Sequence, residues 1–217
     1  MKRERVLMCS PEHFRVHYAI NPWMEGQLGA VDKALAHEQW SALRDQISET
    51  ADVVTITPQD EWPDMVFTAN AGMVLGNKAV VSRFYNDERA GEEQYFRQWF
   101  EREGYRILEL PEELAFEGAG DALFQRDAKR LWAGYGYRTD RYAHKLLSDY
   151  FDVEVQSLHL VDPRFYHIDT CFCPLEGDYL LYHPQAFDEP SLQRINKVFP
   201  EGRQIKVGVR DAGQFVC

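Results

Sequence analysis

The sequence predicts an α/β protein in which similar β-β-α-β units form a ring. Three segments of one shape support this prediction: residues 67–72 (FTANAG), 116–121 (FEGAGD) and 166–170 (YHIDT). Each begins with an aromatic residue, continues through polar residues and precedes a predicted β-hairpin. The aromatic residues are 49 and 50 positions apart. Self-similarity at a fixed spacing of this size is typical of repeat architectures.

The predicted secondary structure repeats with the same spacing. The hairpins pair residues 73–75 with 79–81 around Gly76 and Asn77, 122–124 with 131–133, and 171–173 with 179–181. An amphipathic helix follows each hairpin. The predicted helices begin near Arg89, near Thr139 as an N-cap, and near Asp188 with Pro190 in the first turn. Strands at 105–110, 153–160 and 204–209 end the units.

The predicted helices bury one face each. The expected buried residues are Tyr95, Phe96, Trp99 and Phe100 in the first, Tyr142, Leu146 and Tyr150 in the second, and Leu192, Ile195, Val198 and Phe199 in the third. The N-terminal part is expected to hold a strand at 6–9, a helix at 33–48 and a strand at 53–57.

We interpret residues 1–217 as one incomplete domain. Its units span about 1–60, 61–111, 112–161 and 162–210, and a fifth unit begins at about 211. A stacked solenoid is the alternative arrangement of such units. A ring is favoured because equivalent positions carry different polar groups, whereas a solenoid repeats one residue type.

Composition narrows the class of protein. Apolar residues make up 45% of the chain, which is ample for a packed core. A net charge of −11 disfavours nucleic acid and anionic membranes as partners and favours a cationic one. The sequence shows no signal peptide and no apolar run long enough to span a membrane. Four cysteines are too few for a disulfide scaffold, so a reduced, cytoplasmic protein is expected.

Polar residues recur at matched positions after each aromatic residue. Glu117 and His167 stand one position after an aromatic residue, and Asn70 and Asp169 stand three positions after one. A step of 49 residues back from Phe67 reaches Tyr18, and Asn21 stands three positions after it. We expect His167 and Asp169 to share one face of a strand, since side chains two apart do so. Ring symmetry would bring Asn70, Glu117, His167 and Asp169 to one acceptor-rich site. Such a site suits a planar guanidinium, which has five donors and no acceptor.

Two alternatives compete with this site. Each of these residues taken alone is more typical of a solvated strand end or a scaffold histidine. A metal site is the second alternative, because His167, Asp169, Cys171 and Cys173 are close in sequence. Their spacing is not that of a usual zinc site, so neither a metal nor another cofactor is predicted.

These motifs, together with residues 20–24 (INPWM), resemble the guanidino-group-modifying superfamily of pentein-fold enzymes. The superfamily includes arginine deiminase, arginine dihydrolase, dimethylarginine dimethylaminohydrolase and the amidinotransferases, and the resemblance covers essentially the whole chain. It implies a five-fold α/β propeller of ββαβ modules and a guanidino compound as the small-molecule partner.

The resemblance also implies roles for individual residues. A cysteine thiolate would attack the guanidinium carbon while His167 serves as acid and base, and Glu117 and Asp169 would bind the guanidinium. Asn70 stands where deiminases and dimethylargininases usually have an acid, and the pattern is most similar to the arginine dihydrolases.

The same resemblance places the substrate's amino-acid end. Arg89 and Arg138 match arginines that hold the α-carboxylate, and Asn21 is expected at the same end. The alternatives are surface ion pairs for the two arginines and a turn cap for Asn21.

The resemblance places the nucleophile beyond Cys217, so no nucleophile is expected in this chain. Buried structural roles are favoured for Cys9 and Cys173, Cys171 has no nucleophile motif, and Cys217 has the wrong strand parity. We therefore expect an open ring with exposed strand edges and no activity in isolation, unless a second chain fills the gap in a homo-oligomer. An amidinotransferase, a dimethylarginine hydrolase and an arginine-binding module without chemistry stay open as alternatives.

Overall fold

The computed structural model describes residues 3–125 and 130–215. Within these ranges there are eleven β-strands and six α-helices. The strands β1–β11 are Arg5–Cys9, Asp52–Ile56, Gly72–Leu75, Lys78–Val81, Arg106–Leu108, Ala122–Phe124, Arg130–Tyr135, Glu154–His159, Phe172–Leu175, Tyr179–Tyr182 and Gln204–Lys206. The helices α1–α6 are Lys33–Ser48, Asp87–Ala90, Glu92–Arg102, Ala143–Phe151, Glu189–Val198 and Val209–Ala212.

The strands form four small sheets. Three of them share one plan: an antiparallel hairpin, then a third strand parallel to the second hairpin strand. All three predicted hairpins are confirmed. Gly76 in the first hairpin turn has φ +62°, a conformation that glycine adopts without steric cost. The N-terminal sheet consists of β1 and β2, which are parallel.

Two helices begin where they are predicted, and each start is capped by an aspartate side chain. The Asp32 carboxylate accepts the Leu35 N–H at the start of α1, and the predicted bounds 33–48 are confirmed. Asp188 caps α5 in the same way through the Ser191 N–H, 2.9 Å away. Each cap satisfies a backbone donor that has no partner within its own helix.

The predicted start and buried face of the second helix are wrong. Helix α4 begins at Ala143, and the Thr139 hydroxyl instead donates to Asp121. Tyr142 is 77% exposed, whereas the buried positions are Ala143, His144, Leu147 and Phe151. The helix carries two adjacent apolar stripes with the same four-residue spacing. The predicted stripe precedes the buried one by one residue. Periodicity alone does not distinguish two such stripes.

Other boundaries also differ from the prediction, among them that of β5, which is Arg106–Leu108 instead of 105–110. The predicted helix from Arg89 is divided into α2 and α3 at Gly91, where the Trp62 ring occupies the space that a side chain would need. The predicted strand 204–209 ends at Lys206, because the chain passes Gly208 and forms α6.

Consecutive sheets share apolar cores. Trp132 on β7 packs against Phe172 on β9 and against Phe199, with ring centroids 5.2 and 5.4 Å apart. Met73 and Val80 of the preceding sheet join Phe116 in another cluster. Each unit is therefore held against the next by aromatic and aliphatic burial.

A short 3₁₀ turn precedes the first strand of each hairpin sheet: Thr68–Ala71, Gly118–Gly120 and Ile168–Thr170. These turns contact one another, the second with both of the others. The expectation that His167 and Asp169 share a strand face is wrong in its premise, since Asp169 lies inside a 3₁₀ turn and His167 is its N-cap. None of the helices in residues 3–125 and 130–215 has the length and hydropathy needed to cross a bilayer.

His144 on α4 makes stability depend on pH. Burial lowers the pKa of this imidazole to about 4, despite hydrogen bonds to Gly134 O and Ser157 Oγ. In the unfolded chain the pKa of histidine is about 6.5. Between these values the unfolded chain binds a proton that the folded chain excludes. The contribution of His144 to the free energy of unfolding should therefore fall as pH drops from about 6.5 to about 4, by up to about 3 kcal/mol.

Urea unfolding between pH 4 and 7 measures this effect. In His144→Gln position 144 no longer titrates, so the difference in slope between the two proteins isolates the contribution of His144 from that of Asp169 and other titrating groups. Identical pH slopes in the two proteins would contradict the assignment to His144.

Candidate active site

A cavity of about 520 Å³ lies beside the first and third of the three 3₁₀ turns. The loop before α1 and residues from the turns line it, and Phe215 also reaches it. Six predicted site residues are in its lining: Asn21, Asn70, Arg89, Arg138, His167 and Asp169. The structure thus brings together residues that are almost 150 positions apart in the sequence.

His167 is buried at the centre of the polar cluster. Its Nε2 lies 3.2 Å from Glu117 Oε2 and 3.3 Å from Asn70 Nδ2. Its Nδ1 lies 3.1 Å from Asp121 Oδ2. Burial alone would lower the pKa of His167, but the nearby carboxylates of Asp121 and Glu117 outweigh it and raise the pKa to about 10. This imidazole therefore holds a second proton at neutral pH.

Glu117 lies behind the cavity and is fully buried. One guanidinium nitrogen of Arg138 lies 3.1 Å from Glu117 Oε2, and the Tyr85 N–H donates to Oε1. Burial would raise the pKa of Glu117, but His167 and the arginines lower it. Glu117 is not part of the cavity lining, because Arg138 and His167 stand between its carboxylate and the open space.

Asp169 faces the cavity from inside the last turn. Burial raises the pKa of Asp169 to about 7, with a further contribution from the negative charge of Asp121, while His167 acts in the opposite direction. A cation entering the cavity would lower this pKa, since an opposite charge stabilises the carboxylate.

Asn70 has a fixed amide orientation. Its Oδ1 accepts from Arg89 Nη1 at 3.0 Å, and its Nδ2 donates to the Glu117 carbonyl at 3.2 Å. Arg89 is itself held by both carboxylate oxygens of Glu92 and by the carbonyl of Asp64. These bonds use four of the five guanidinium donors of Arg89.

Neither arginine is a surface residue, so the alternative of exposed ion pairs is wrong for both. Arg89 and Arg138 are 3% and 5% exposed. Arg138 Nη2 donates to the Ile20 carbonyl at 2.7 Å, and its guanidinium lies 4.7 Å from the centroid of the Tyr166 ring. Asn21 caps the following turn by accepting the N–H groups of Trp23 and Met24, and it also lines the cavity.

Sequence reasoning missed three polar residues at this site. Asp64 lines the cavity, and its Oδ1 has no hydrogen-bond partner within residues 3–125 and 130–215, while Oδ2 accepts from Tyr18. Asp121 and Thr139 form the support behind His167. Asp121 belongs to the FEGAGD motif but falls outside the matched positions, and Asp64 lies before the first motif. Thr139 was assigned to a helix cap.

The described cysteines lie away from the cavity. Cys9 and Cys171 are fully buried, Cys173 is half-buried, and none of the three lines the cavity. Burial raises the pKa of the Cys9 thiol to about 12, which disfavours a thiolate there. Cys217 lies outside the described residues. In the described ranges, no group of three or more His, Cys, Asp or Glu side chains is placed to hold a metal ion.

Small α/β sheets whose turns deliver an imidazole, carboxylates and an amide to one cavity define the pentein-fold, guanidino-group-modifying class of protein. Residues 21–190 match the family described as N,N dimethylarginine dimethylhydrolase, eukaryotic. The chain belongs to this family, whose members are guanidino-group hydrolases.

Individual relatives agree with this assignment. The bifunctional arginine dihydrolase/ornithine cyclodeaminase ArgZ of Synechocystis is 53% identical over 213 residues, which are 98% of this chain and 30% of that protein. The N(G),N(G)-dimethylarginine dimethylaminohydrolase of Mycobacterium tuberculosis is 39% identical over 99% of this chain and 69% of that protein. The crystal structure of the N-terminal domain of ArgZ, a cysteine-to-serine mutant bound to substrate, has a TM-score of 0.96 and 53% identity, covering 98% of this chain and 79% of that one.

Proposed function

We propose that this chain is the guanidinium-binding and acid–base part of a hydrolase that acts on arginine, most like an arginine dihydrolase. The observation that carries the proposal is the contact of His167 with Glu117 and Asn70 at 3.2 and 3.3 Å beside a cavity that Asp169 also lines. The identity to ArgZ favours unmethylated arginine as the substrate.

The cavity is suited to a flat cation. Asp64 Oδ1 is a buried acceptor with no partner among the described residues, and Asp169 supplies a second carboxylate in the lining. A guanidinium would pair with the Asp169 carboxylate, because its planar N–H donors match carboxylate oxygens, and the nearby Asp64 carboxylate would favour its positive charge. Its positive charge would also offset the cost of ionising these buried acids.

His167 is the acid–base residue of the proposed reaction. A cysteine thiolate forms a bond to the guanidinium carbon, and the C–N bond to the leaving amine breaks as His167 transfers a proton to that nitrogen. His167 then takes a proton from water, which attacks the same carbon and releases the thiolate. Glu117 stabilises the protonated imidazole throughout, because its carboxylate lies 3.2 Å from Nε2.

In this proposal, Asn70 is the residue that allows the substrate to be hydrolysed twice and not once. A dihydrolase converts arginine and two waters into ornithine, two ammonia molecules and carbon dioxide, so a ureido intermediate must be attacked again. A neutral amide at position 70 attracts the cationic substrate less strongly than a carboxylate would, and it leaves a carbonyl-bearing intermediate open to a second attack. In any form of the protein that turns over arginine, ornithine is expected. Citrulline as the end product would contradict this part.

The amino-acid end of the substrate is assigned to Arg138, Arg89 and Asn21. Arg138 lies at the cavity wall beside the Ile20 carbonyl, which places its guanidinium within reach of a carboxylate. Arg89 has one N–H beyond its bonds to protein groups, so we assign it the weaker of the two contacts.

An arginine-binding module without chemistry is the second candidate. It is favoured by the absence of Cys9, Cys171 and Cys173 from the cavity lining. The chain alone is therefore expected to bind arginine without releasing ammonia.

Calorimetry and an ammonia assay on the 217-residue chain test this proposal. Arginine should bind, and Asp169→Asn should weaken binding by at least about 10-fold through the loss of one charged hydrogen bond. Asp188→Asn, at a carboxylate outside the cavity, should leave binding unchanged. Absence of arginine binding would refute the function.

The ammonia assay has its own control. Turnover by the chain that disappears in Cys217→Ser would place the nucleophile in this chain and overturn the binding-module candidate. Comparison of arginine with asymmetric dimethylarginine separates the two substrate classes. An added acceptor amine, with the transferred product measured, separates hydrolysis from amidino transfer.

A further inference from the structure

The Nδ1 side of His167 faces a carboxylate that has no part in the roles proposed so far. Asp121 is 1% exposed, and its Oδ2 lies 3.1 Å from Nδ1. The Nδ1–H bond of His167 does not point at the Asp121 oxygen, so the two groups interact through their charges at close range and not through an aligned hydrogen bond. A carboxylate buried this fully is costly unless protein groups satisfy it.

Two donors hold Asp121 in place. The Thr139 hydroxyl donates to Oδ2 at 2.7 Å, and the Ile168 N–H donates to Oδ1 at 3.2 Å. Thr139 Oγ1 also accepts the Glu117 N–H at 3.1 Å. The Asp121 carboxylate is therefore linked directly to the backbone at Ile168, next to His167, and through the Thr139 hydroxyl to the backbone at Glu117.

The Nε2 side of His167 faces groups of opposite kinds. Asn70 Nδ2 is a donor, because Arg89 holds Asn70 Oδ1 on the other side of the amide. Glu117 Oε2 is an acceptor. A neutral imidazole with its proton on Nδ1 can accept from Asn70, whereas a protonated imidazole can donate from Nε2 to Glu117. Nε2 therefore has a suitable partner whether or not it carries a proton. The proton on Nδ1 stays beside Asp121 in both states.

We propose that Asp121, held by Thr139, is the positioning residue that keeps a proton on Nδ1 of His167 and so reserves Nε2 for proton transfer. The proposal rests on the acid–base role proposed above for His167. Asp121 acts through His167 and is not among the residues that line the cavity described above. Its position on the far side of the imidazole is the geometry by which a buried carboxylate sets the tautomer of a catalytic histidine.

The charged groups around His167 all bear on its titration. The carboxylates of Glu117 and Asp121 are in direct contact with His167, and Asp169 lies in the same turn. Arg138 pairs with Glu117, and Arg89 donates to Asn70. The titratable Tyr166 ring has its centroid 4.8 Å from that of His167. Arg138 donates to Glu117. In the described part of the chain, neither Arg138 nor Arg89 donates to Asp121, whose partners are Thr139 and Ile168.

The test is an NMR titration of the histidine ring nitrogens in the ¹⁵N-labelled chain, with His167 assigned by its absence in His167→Gln. Wild type should titrate far above free histidine, and the neutral form at high pH should carry its proton on Nδ1. Asp121→Asn should lower the His167 midpoint by about 1–3 pH units, the range for loss of one adjacent charge.

Two variants separate this role from a structural one. Thr139→Val keeps the Asp121 charge, so the His167 midpoint should not fall. Asp188→Asn removes the carboxylate of another Asp–His pair, 3.1 Å from His159, and should leave the His167 titration unchanged.

Three results would overturn the proposal: a neutral wild-type imidazole protonated on Nε2, a midpoint within 0.3 units of wild type in Asp121→Asn, or an equal fall in Thr139→Val. The first needs no variant, so it decides the question even where Asp121→Asn fails to fold. The titration measures no turnover. Failure of arginine binding would therefore refute the proposed function and leave the result on Asp121 standing.

Discussion

Glu117→Gln is expected to destabilise the protein by about 3–5 kcal/mol and to weaken arginine binding by at least about 10-fold. Glu117 is the buried carboxylate between Arg138 and His167, at 3.1 and 3.2 Å. Glutamine keeps the shape but removes the charge, which leaves two buried cations facing a neutral amide. His167 would lose a carboxylate that raises its pKa, and Arg138 would lose its anchor at the cavity wall.

Urea unfolding at pH 7 and calorimetry with arginine measure the two effects of Glu117→Gln. The matched control is Glu109→Gln, which removes a carboxylate paired with Arg97 at the exposed surface. Exposed ion pairs contribute about 0–1 kcal/mol, so this control should be close to wild type in both measurements. Equal losses in the two variants would mean that the buried cluster has no special importance.

Gly120→Ala is expected to disrupt the site through a single methyl group. A Cβ at Gly120 would overlap Asn70 Nδ2 and reach within 3.5 Å of the His167 ring. The amide would have to leave its position between Arg89, the Glu117 carbonyl and His167. Overpacking of this kind costs about 1–3 kcal/mol, and the displaced amide should weaken arginine binding by at least about 10-fold.

Gly202→Ala is the control for Gly120→Ala. A Cβ at Gly202 would meet no atom within 4 Å, so stability and arginine binding should be unchanged. Thermal unfolding separates the packing cost from the effect on binding. Wild-type affinity in Gly120→Ala would show that the turns tolerate movement of Asn70, and the proposed role of its fixed amide would be wrong.

Local signals predicted much of the secondary structure. The hairpin turn at Gly76 and the starts of α1 and α5 are each decided by residues adjacent in sequence, and all are found where predicted. The face of α4 and the break at Gly91 were not predictable. The first depends on which of two apolar stripes meets β8 and its neighbours, and the second depends on Trp62, which is distant in sequence.

The candidate site was predicted in part. Matched positions in the repeat identified Asn70, Glu117, His167 and Asp169, and the structure brings them to one place. The same matching passed over Asp121 and Asp64, because neither is repeated from unit to unit. The resemblance implies that Glu117 binds the guanidinium; that role stays a prediction, and in the structure the Arg138 guanidinium lies 3.1 Å from the Glu117 carboxylate.

The sequence by itself determined the repeat, the polar set and the family, because aromatic and polar residues at fixed spacing are properties of the chain alone. Only the tertiary structure decided the partners of each charge. Burial and distances of about 3 Å between residues from separate units set the protonation of His167, the orientation of Asn70 and the support from Asp121. Electrostatic energies change steeply with distance and burial, and the order of residues along a chain contains neither.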